Sequence, residues 1–422
     1  MNYRKLIQFS LPLAVVVVAN DMGQQVLNGG MARMPDAIAT LAAYGVALGI
    51  KGLLGTPLTQ AAQLGLALTE DHRARRQNQR FLLGLATLVA LVLAILGLTP
   101  VGVWLTKDVH SLTRQLSTEV QFALLCMVPL VFFDALSRYY AGLLLRYRQT
   151  AWTGAATLAK IGASIVTVFA LLPFDLVQAR PIWLPVLVIY AGALAEIVVV
   201  FSGYFKTVRG RLPPQSDHHL TLSNIVHFFW PLVFVNVVQS GSRPIINLFV
   251  ARGPNAEFAL AVFVIVESMA GMICGWIPEL RYLPAAFRDE ADSVRYIKRF
   301  TAWCGLLGIV LMAVVCWTPL LEIILIGLIG LDKAVAAASR TPLLIYSFLP
   351  LITTPRSYLH GLAVVQHRTR ALVPSTPSRL AMSLVALLAL PFWGVEGATL
   401  AAAAVSSGLA VETLVSWWCL RR

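Results

Sequence analysis

The sequence predicts an all-α polytopic membrane protein with twelve transmembrane helices in two six-helix lobes. Apolar runs of about 20 residues, long enough to cross a bilayer, recur along the whole chain. The second half also repeats landmarks of the first at an offset of 219 residues. Of the 422 residues, 58% are hydrophobic and 13% are charged, whereas soluble domains carry about 25% charged residues. A soluble fold of this composition would lack a polar surface.

The internal repeat predicts how the helices are organised. Residues that match across the offset include Pro12 and Pro231, Asn28 and Asn247, Thr99 and Thr318, Pro100 and Pro319, Tyr139 and Tyr358, and Gly142 and Gly361. A slightly smaller offset pairs Glu196 with Glu412. Six spans per half is an even number, so a pseudo-two-fold axis along the membrane normal should relate the lobes. This architecture is typical of secondary transporters.

The predicted spans follow one another in a regular order. They are centred near residues 18, 54, 93, 130, 163 and 192 in the first half, and near 236, 270, 311, 351, 381 and 407 in the second. The lobes then cover 1–205 and 224–422, with 206–223 as a cytoplasmic linker. The first run follows Arg4 and Lys5 as a secretory signal would, but it recurs in the second half, so we interpret it as a span.

The distribution of basic residues predicts the orientation of the chain. The net charge of +13 would suggest a nucleic-acid partner in a soluble protein. Here 19 Lys and Arg residues fall in the loops of one side and seven in those of the other. The positive-inside rule therefore places both termini in the cytoplasm and removes the need for nucleic acid. We expect a monomer whose partners are the lipid bilayer and a small anionic substrate.

The sequence offers no motif for enzymatic chemistry. A phosphate-binding P-loop, an H-E-x-x-H zinc motif and a nucleophile elbow are all absent from it. We therefore predict no catalytic residue, no metal site and no cofactor, although transport can be coupled to H⁺ or Na⁺.

Polar stripes on the first and seventh spans are the first candidate for a binding site. Asp21, Gln24 and Asn28 share one helical face, and Arg243 and Asn247 share the repeat-related face. We expect these faces to line a shared central cavity, because a buried Arg is costly in lipid. The alternative is hydrogen bonding between helices, worth about 0.6–2 kcal/mol per contact.

Two other spans of the first half carry charges near their centres. Lys51 is predicted either to pair with an acid such as Asp21 or to bind an anion, and both readings stay open. Asp134 and Arg138 lie four residues apart, so we expect an internal salt bridge between them.

Charges in the second half point to an anionic ligand. Arg356 and His360 lie four residues apart with no acid near them in sequence, which suits a carboxylate or phosphate ligand. Glu267 is predicted either to pair with Arg243 or to carry a coupling proton.

The remaining charges within spans are assigned to gating or to the scaffold. Glu279 and Arg281 are expected near the cytoplasmic end as a structural pair or a gate, and Arg379 either faces the cavity or reaches an interface. The repeat-paired Glu196 and Glu412 are interpreted as structural by symmetry, with a role in proton transfer as the alternative.

Several sequence blocks resemble the progressive ankylosis protein family nearly end to end. The blocks are DMGQQVLNGG (21–30), FFDALSRYYAGLLL (132–145), SRPIINLFVARG (242–253), GWIPELRYLPAAF (275–287), WTPLLEIILIGLIGLD (317–332) and GVEGATL (394–400). The resemblance implies a branch of the multidrug and toxin extrusion superfamily that exports pyrophosphate, nucleotides or citrate. Residues of the family's type stand at Asp21, Lys51, Asp134, Arg243, Glu279, Arg281, Arg356 and Arg379.

The chain also departs from the family pattern. Family members usually have an acid at the position of Gln24 and an acidic residue near Lys160, and the animal proteins have a long acidic tail that this chain lacks. The short chain and compact loops predict a bacterial protein of the inner membrane, whose anion can differ from the animal one.

These observations lead to one functional prediction with named roles. The chain is predicted to be a secondary-active exporter of small multivalent anions that works by alternating access between its lobes. Lys51, Arg243 and Arg356 would bind substrate charge, Gln24, Asn28, Asn247 and His360 would orient the substrate, and Asp21 and Glu267 would couple or hold the bases. The alternatives are a flippase for a lipid-linked anionic headgroup, a multidrug exporter and a non-transporting scaffold.

Overall fold

The computed structural model describes most of the chain. It covers residues 2–31, 33–109, 114–214, 220–250, 252–253, 255–290, 292–328 and 333–421. Within these ranges the side chains of 18–22, 24–26, 28–29, 37–38, 42, 108–109, 244, 256–257 and 261 are not described. The described residues form helices and connecting turns and contain no strand.

Among the described residues, the first half contains seven long helices. They are α1 (Tyr3–Met31), α2 (Ala37–Gly55), α3 (His72–Leu98), α4 (Arg114–Met127), α5 (Leu130–Arg146), α6 (Thr150–Leu171) and α7 (Trp183–Gly203). After α2 the chain continues through a 3-10 turn (Thr56–Gln60) and a π-helical turn (Leu64–Leu68).

The second half repeats this order. Its helices are α8 (Leu222–Val250), α9 (Ala256–Cys274), α10 (Ser293–Trp317), α11 (Lys333–Tyr346), α12 (Leu349–Val365), α13 (Ser375–Ala389) and α14 (Gly397–Arg421). A 3-10 turn (Ile277–Tyr282) follows α9, at the place where the first half has its own 3-10 turn after α2.

Eight helical segments of the described residues are long and apolar enough to cross a membrane, and eleven are if each bent pair is one span. α4 and α5 meet at 45°, α9 and the segment after it at 47°, and α11 and α12 at 43°. Pro129, Pro278 and Pro350 stand at these three bends. Because proline has no N–H to donate, it ends the helical ladder there. α1 is a single helix of 29 residues at the first predicted span.

The boundaries of α3 and α10 follow from their local sequence. The buried carboxylate of Asp71 caps α3 by accepting a hydrogen bond from the N–H of Ala74 at 2.5 Å. α3 ends before Thr99-Pro100 and α10 ends before Thr318-Pro319, because the residue that precedes a proline disfavours helical backbone. The shared Thr-Pro pair thus stops the third span of each half.

The chain forms two compact units. One unit contains residues 15–227, and the other contains residues 228–422 together with 1–14. Within the first unit α6 packs on α7, where Gly192 lies against Ser164 and Lys160. Within the second, α13 packs on α14, and Gly408 lies against Ser383 and Arg379. These are repeat-related positions, so both units close their last helix pair with the same small-residue contact.

A second close contact is also repeated inside each unit. A Cβ on Gly142 of α5 would collide with the backbone of Ala62, and a Cβ on Gly361 of α12 would collide with the backbone of Arg281. Glycine is required at both positions because backbone approaches backbone there. The contact brings the backbone of Arg281 against α12.

We expect Gly142→Ala to lower the unfolding free energy by about 1–3 kcal/mol, because the helix must move away from Ala62. Gly162→Ala is the matched control, since a Cβ on Gly162 of α6 meets no atom within 4 Å. The control should be neutral or slightly stabilising, because alanine favours helix over glycine. Thermal unfolding of both purified variants in detergent measures the difference. Equal unfolding temperatures would contradict the predicted clash.

Four residues other than glycine hold left-handed backbone at repeat-related positions. Asp36 and Asn255 precede α2 and α9 with φ of 51° and 52°. Arg148 and His367 follow α5 and α12 with φ of 60° and 52°. Asp, Asn and His adopt left-handed backbone more often than other non-glycine residues, whereas at Arg148 it costs about 1–2 kcal/mol. The backbone conformation of these turns is thus repeated in both halves.

Candidate functional site

A buried charge cluster in the second unit centres on Glu412 of α14. The side chain of Glu412 is 0% exposed. A carboxylate can stay ionised at such a position only when partners replace its water. α8, α12 and α13 each supply one or more of those partners. We call Glu412, Arg356, His360, Arg379 and Gln239 the Glu412 cluster.

Both oxygens of Glu412 have partners. Oε1 accepts a hydrogen bond from Gln239 Nε2 at 2.8 Å and lies 3.0 Å from a terminal nitrogen of Arg356. Oε2 lies 3.4 Å from a terminal nitrogen of Arg379, which donates to it. His360 Nε2 is 3.7 Å from Oε1. No acid lies near Arg356 and His360 in sequence, but α14 brings Glu412 to them, so this face is not the uncompensated one that the sequence predicts.

The cluster retains donors that no protein atom satisfies. The Nε–H groups of Arg356 and Arg379 are buried and have no hydrogen-bond partner, and neither does His360 Nε2. Buried polar atoms normally find a partner, so each such atom needs an explanation. Three nitrogen atoms around one carboxylate are thus left without a hydrogen-bond partner in the protein.

Arg281 adds a further positive charge close to this cluster. It lies within electrostatic reach of His360, and its backbone lies against Gly361 of α12. Its guanidinium donates to the hydroxyl of Tyr282 at 3.0 Å, while its buried Nε has no acceptor. Glu279 is within electrostatic reach of Arg281. The gate or structural role predicted for Glu279 and Arg281 stays a prediction.

Arg243 and Glu267 form an ion pair between α8 and α9. The pair measures 2.5 Å, and the side chains are 58% and 24% exposed. Of the two alternatives predicted for Glu267, the structure shows the ion pair with Arg243. The hydroxyl of the buried Tyr346 lies within electrostatic reach of this pair and of Arg379. Asn247, on α8, has a buried side-chain oxygen with no partner.

In the first unit Lys51 of α2 pairs with Asp134 of α5. Lys51 Nζ lies 2.5 Å from Asp134 Oδ2. The side chains are 15% and 32% exposed. The expected salt bridge between Asp134 and Arg138 is wrong, because Asp134 turns to another helix while Arg138 is exposed. For Lys51, pairing with an acid is the alternative that the structure adopts, with Asp134 as the acid.

We expect Lys51→Met to lower the unfolding free energy by about 1–2 kcal/mol, because it leaves a half-buried carboxylate alone. Asp134→Asn should cost a similar amount, and the double variant should cost less than the sum of the two. Chemical unfolding of the three variants completes the double-mutant cycle. Strict additivity would mean that the pair contributes no coupling energy.

A third pair in the first unit is the repeat partner of part of the Glu412 cluster. Lys160 Nζ of α6 donates to Glu196 Oε2 of α7 at 2.8 Å. Lys160 aligns with Arg379 and Glu196 with Glu412. The repeat positions of Arg356 and His360 hold Ser137 and Ala141. The basic residue and the acid are thus common to both units, while the extra Arg and His belong to the second.

The structure brings only some of the predicted site residues together. Arg356, His360 and Arg379 meet in one cluster, whereas Lys51 with Asp134, and Arg243 with Glu267, form separate pairs. The side chains of Asp21, Gln24 and Asn28 lie outside the described residues. Sequence reasoning missed the partners Gln239 and Glu412. The signal was available, since a basic residue and a glutamate recur at matched positions of both halves.

The part of the chain that the structure describes contains no group of three or more His, Cys, Asp or Glu side chains able to hold a metal ion. The cluster is a charged hydrogen-bonding site, and its donors are suited to oxygen atoms that carry negative charge.

The helix order and the paired units match solved membrane transporters. The Vibrio cholerae MATE transporter VcmN in the bent form is similar with a TM-score of 0.70 and 16% identity, over 99% of this chain and 96% of that chain. The eukaryotic MATE transporter AtDTX14 is similar with a TM-score of 0.71 and 12% identity, over 99% of this chain and 95% of that chain. A MOP superfamily transporter from Pyrococcus furiosus is similar with a TM-score of 0.66 and 12% identity, over 99% of this chain and 95% of that chain. The reverse polarity of the binding pocket of that transporter suggests a different function for it.

At these identities the likeness shows the fold, and the predicted fold class is confirmed. The protein is an all-α polytopic membrane protein of the transporter class and not an enzyme. Residues 1–318 match the profile of the Progressive ankylosis protein (ANKH) family, and the chain belongs to that family. The family resemblance read from the sequence blocks is thereby confirmed. The Glu412 cluster, apart from Gln239, lies beyond the matched residues.

Proposed function

We propose that this transporter exports small multivalent anions, such as pyrophosphate, a nucleotide or citrate, by alternating access between lobes at 1–205 and 224–422. The observation that carries the proposal is the excess of buried guanidinium groups over carboxylates in the second unit. Arg281, Arg356 and Arg379 lie there with Glu279 and Glu412 as the acids. One positive charge is left in excess, which an anionic ligand would balance.

The chemistry of the cluster favours phosphate or carboxylate oxygens. A guanidinium offers a planar fork of N–H donors that binds two oxygens at once. Arg356 and Arg379 use one terminal nitrogen each on Glu412, and their buried Nε–H groups have no acceptor. A multivalent anion placed between Arg356 and Arg379 would accept hydrogen bonds from these Nε–H groups. His360 and Gln239 would orient it.

The other predicted basic residues support the proposal less directly. Lys51 is matched by Asp134 and Arg243 by Glu267, so neither pair has net charge to offer. We propose that they contact substrate charge only after these pairs separate, with Asn247 beside Arg243. Glu267 would then hold Arg243 when the site is empty. Roles for Asp21, Gln24 and Asn28 remain part of the same proposal.

An export of cationic drugs suits the cluster poorly. A cation would meet two guanidinium groups beside Glu412, and like charges in a dry site repel strongly. The reverse polarity described for the binding pocket of the Pyrococcus furiosus transporter is a precedent for a change of pocket charge in this fold. A flippase for a lipid-linked anionic headgroup would use the same charges and is an outcome of the test below.

We further propose a location in the bacterial inner membrane with both termini in the cytoplasm and the protein as a monomer. The support is the bias of basic residues, with 19 in the loops of one side and seven in those of the other. Labelling of cysteines introduced near Arg76 and near Lys107, with a membrane-impermeant reagent on intact spheroplasts, tests the orientation. The position near Lys107 should react and the position near Arg76 should not.

The substrate class is tested with purified protein in liposomes. Uptake of labelled pyrophosphate, ATP, citrate and a cationic dye is measured against empty liposomes, with a fluorescent lipid-linked pyrophosphate in a parallel scrambling assay. The proposal expects flux of at least one soluble multivalent anion and none of the dye. Scrambling of the lipid without flux of soluble anions would favour the flippase. Flux of the dye alone would overturn the anion proposal.

A further inference from the structure

We propose that Glu412 is a resident counterion whose protonation is linked to the binding of the substrate anion. The inference rests on the proposed function, because it concerns the same cluster. It assigns the coupling proton to α14, whereas the sequence favoured Asp21 or Glu267 on other helices. It also makes a proton the co-substrate that binds together with the anion.

The burial of Glu412 is the first observation. Asp71 and Glu412 are the two carboxylates among the described residues that are shielded from solvent, with 2% and 0% exposure. Asp71 caps α3 and accepts a backbone N–H, so its charge has a local structural use. Glu412 lies in mid-helix and depends on side chains from other helices. Its charge state is therefore set by whether those side chains stay on it.

The second observation is that Glu412 and the substrate would compete for the same donors. Its charge is balanced by Arg356 at 3.0 Å and Arg379 at 3.4 Å. If an anion takes these two guanidinium groups, Glu412 keeps the neutral amide of Gln239 at 2.8 Å as its close partner. A carboxylate left in that position beside a second anion would face both repulsion and the cost of burial. Both effects favour its protonation.

Among the described residues, the charged groups around Glu412 offer no better counter-charge. The charged and titratable groups facing this part of α14 come from five helices: Arg243 on α8, Glu267 on α9, Tyr346 on α11, Arg356 and His360 on α12, and Arg379 on α13. Arg243 is held by Glu267, and His360 lies within electrostatic reach of the guanidinium groups of Arg281 and Arg356. The other segment packed on α14, Thr369–Leu372, brings Arg370, which is exposed.

The exchange is balanced in charge. A proton from the aqueous phase forms an O–H bond on one oxygen of Glu412, and the anion replaces that carboxylate on Arg356 and Arg379. The site then offers two positive charges instead of one to the anion. Binding of the anion and binding of the proton therefore strengthen each other, and by linkage the effect is reciprocal.

The repeat provides a matched control inside the same chain. Glu196 is the counterpart of Glu412 and pairs with Lys160 at 2.8 Å, but Ser137 and Ala141 stand where the second half has Arg356 and His360. Glu196 therefore has one basic partner and no second guanidinium that an anion would take from it. Its protonation should not respond to substrate.

The test measures proton uptake on binding. Titration calorimetry of wild type, Glu412→Gln and Glu196→Gln with pyrophosphate, in two buffers of different ionisation enthalpy, gives the protons taken up per anion bound. Wild type and Glu196→Gln should take up about one proton more than Glu412→Gln. The protonation of pyrophosphate itself cancels in this difference. As the pH rises, the affinity of the wild type for the anion should fall by an extra factor of about ten per pH unit compared with Glu412→Gln. The reason is that one additional proton is bound together with the anion.

Two results would overturn the inference alone: equal proton uptake by wild type and Glu412→Gln, or loss of the proton by Glu196→Gln. Should Glu412→Gln fail to fold, infrared difference spectra of the wild type decide. Binding of pyrophosphate, which has no carboxyl group, should produce the C=O band of a newly protonated carboxyl group, also in Glu196→Gln. Absence of that band overturns the linkage. Failure of the wild type to bind any anion of the panel would instead overturn the proposed function and this inference together.

Discussion

Arg356→Ala should reduce anion transport by about 30-fold or more. Truncating one member of a buried charge pair at a binding site costs about 2–5 kcal/mol, and every 1.4 kcal/mol is a factor of ten. Arg356 is 13% exposed and its free Nε–H is one of the donors assigned to the substrate. Initial rates of uptake into proteoliposomes, at several anion concentrations, measure the effect. Transport by Arg356→Lys should lie between that of wild type and that of Arg356→Ala, because lysine keeps the positive charge but lacks the planar N–H donors of the guanidinium group.

The stability of Arg356→Ala should change much less than its transport. Glu412 would keep Arg379 at 3.4 Å and Gln239 at 2.8 Å, so its charge would remain compensated. Arg340→Ala is the matched control, since Arg340 lies in the same unit, is 63% exposed and meets Glu322 at 4.0 Å. Transport by the control should equal wild type. Transport by Arg356→Ala within twofold of wild type would remove Arg356 from the proposed site.

Glu412→Ala should destabilise the protein by about 3–5 kcal/mol. Removing one partner from a buried ionic network leaves the others charged and uncompensated, and here two guanidinium groups would be left together. The smaller side chain would also leave a cavity in the contact between α13 and α14. We expect low yield from membranes and an unfolding temperature far below that of wild type.

Glu196→Ala is the control for this loss, because it removes the repeat-related carboxylate. Lys160 and Glu196 are 37% and 24% exposed, so Lys160 would be partly solvated after its partner is removed. We expect a loss of about 1 kcal/mol, in the range of partly exposed ion pairs. Parallel thermal unfolding of both variants gives the comparison. Equal losses would mean that the Glu412 cluster stores no more energy than a single pair.

Much of the fold could be predicted from the sequence, because lipid imposes simple rules on composition. Apolar run length predicts the spans, and prolines mark where they bend, as at Pro129, Pro278 and Pro350. The internal offset also predicts the repeated helix order. These are local or periodic features, and one sequence is enough to detect them.

The partners of the charged residues could be predicted only in part. The four-residue spacing favours an ion pair between Asp134 and Arg138 on one helix. In the structure Asp134 pairs instead with Lys51 of another helix. Glu412 was assigned to the scaffold by symmetry, and its contact with Arg356 joins two helices separated by α13. Such contacts depend on which helix faces meet. The repeat supplies a clue, since Lys160 and Glu196 form the same kind of pair as Arg379 and Glu412.

The left-handed turns occur at the same positions of the internal repeat in both units. Asp36 stands opposite Asn255 with φ of 51° and 52°, and Arg148 stands opposite His367 with φ of 60° and 52°. None of the four is glycine, the residue that adopts this conformation without strain. The two units therefore share the backbone conformation of these turns although they do not share the side chains.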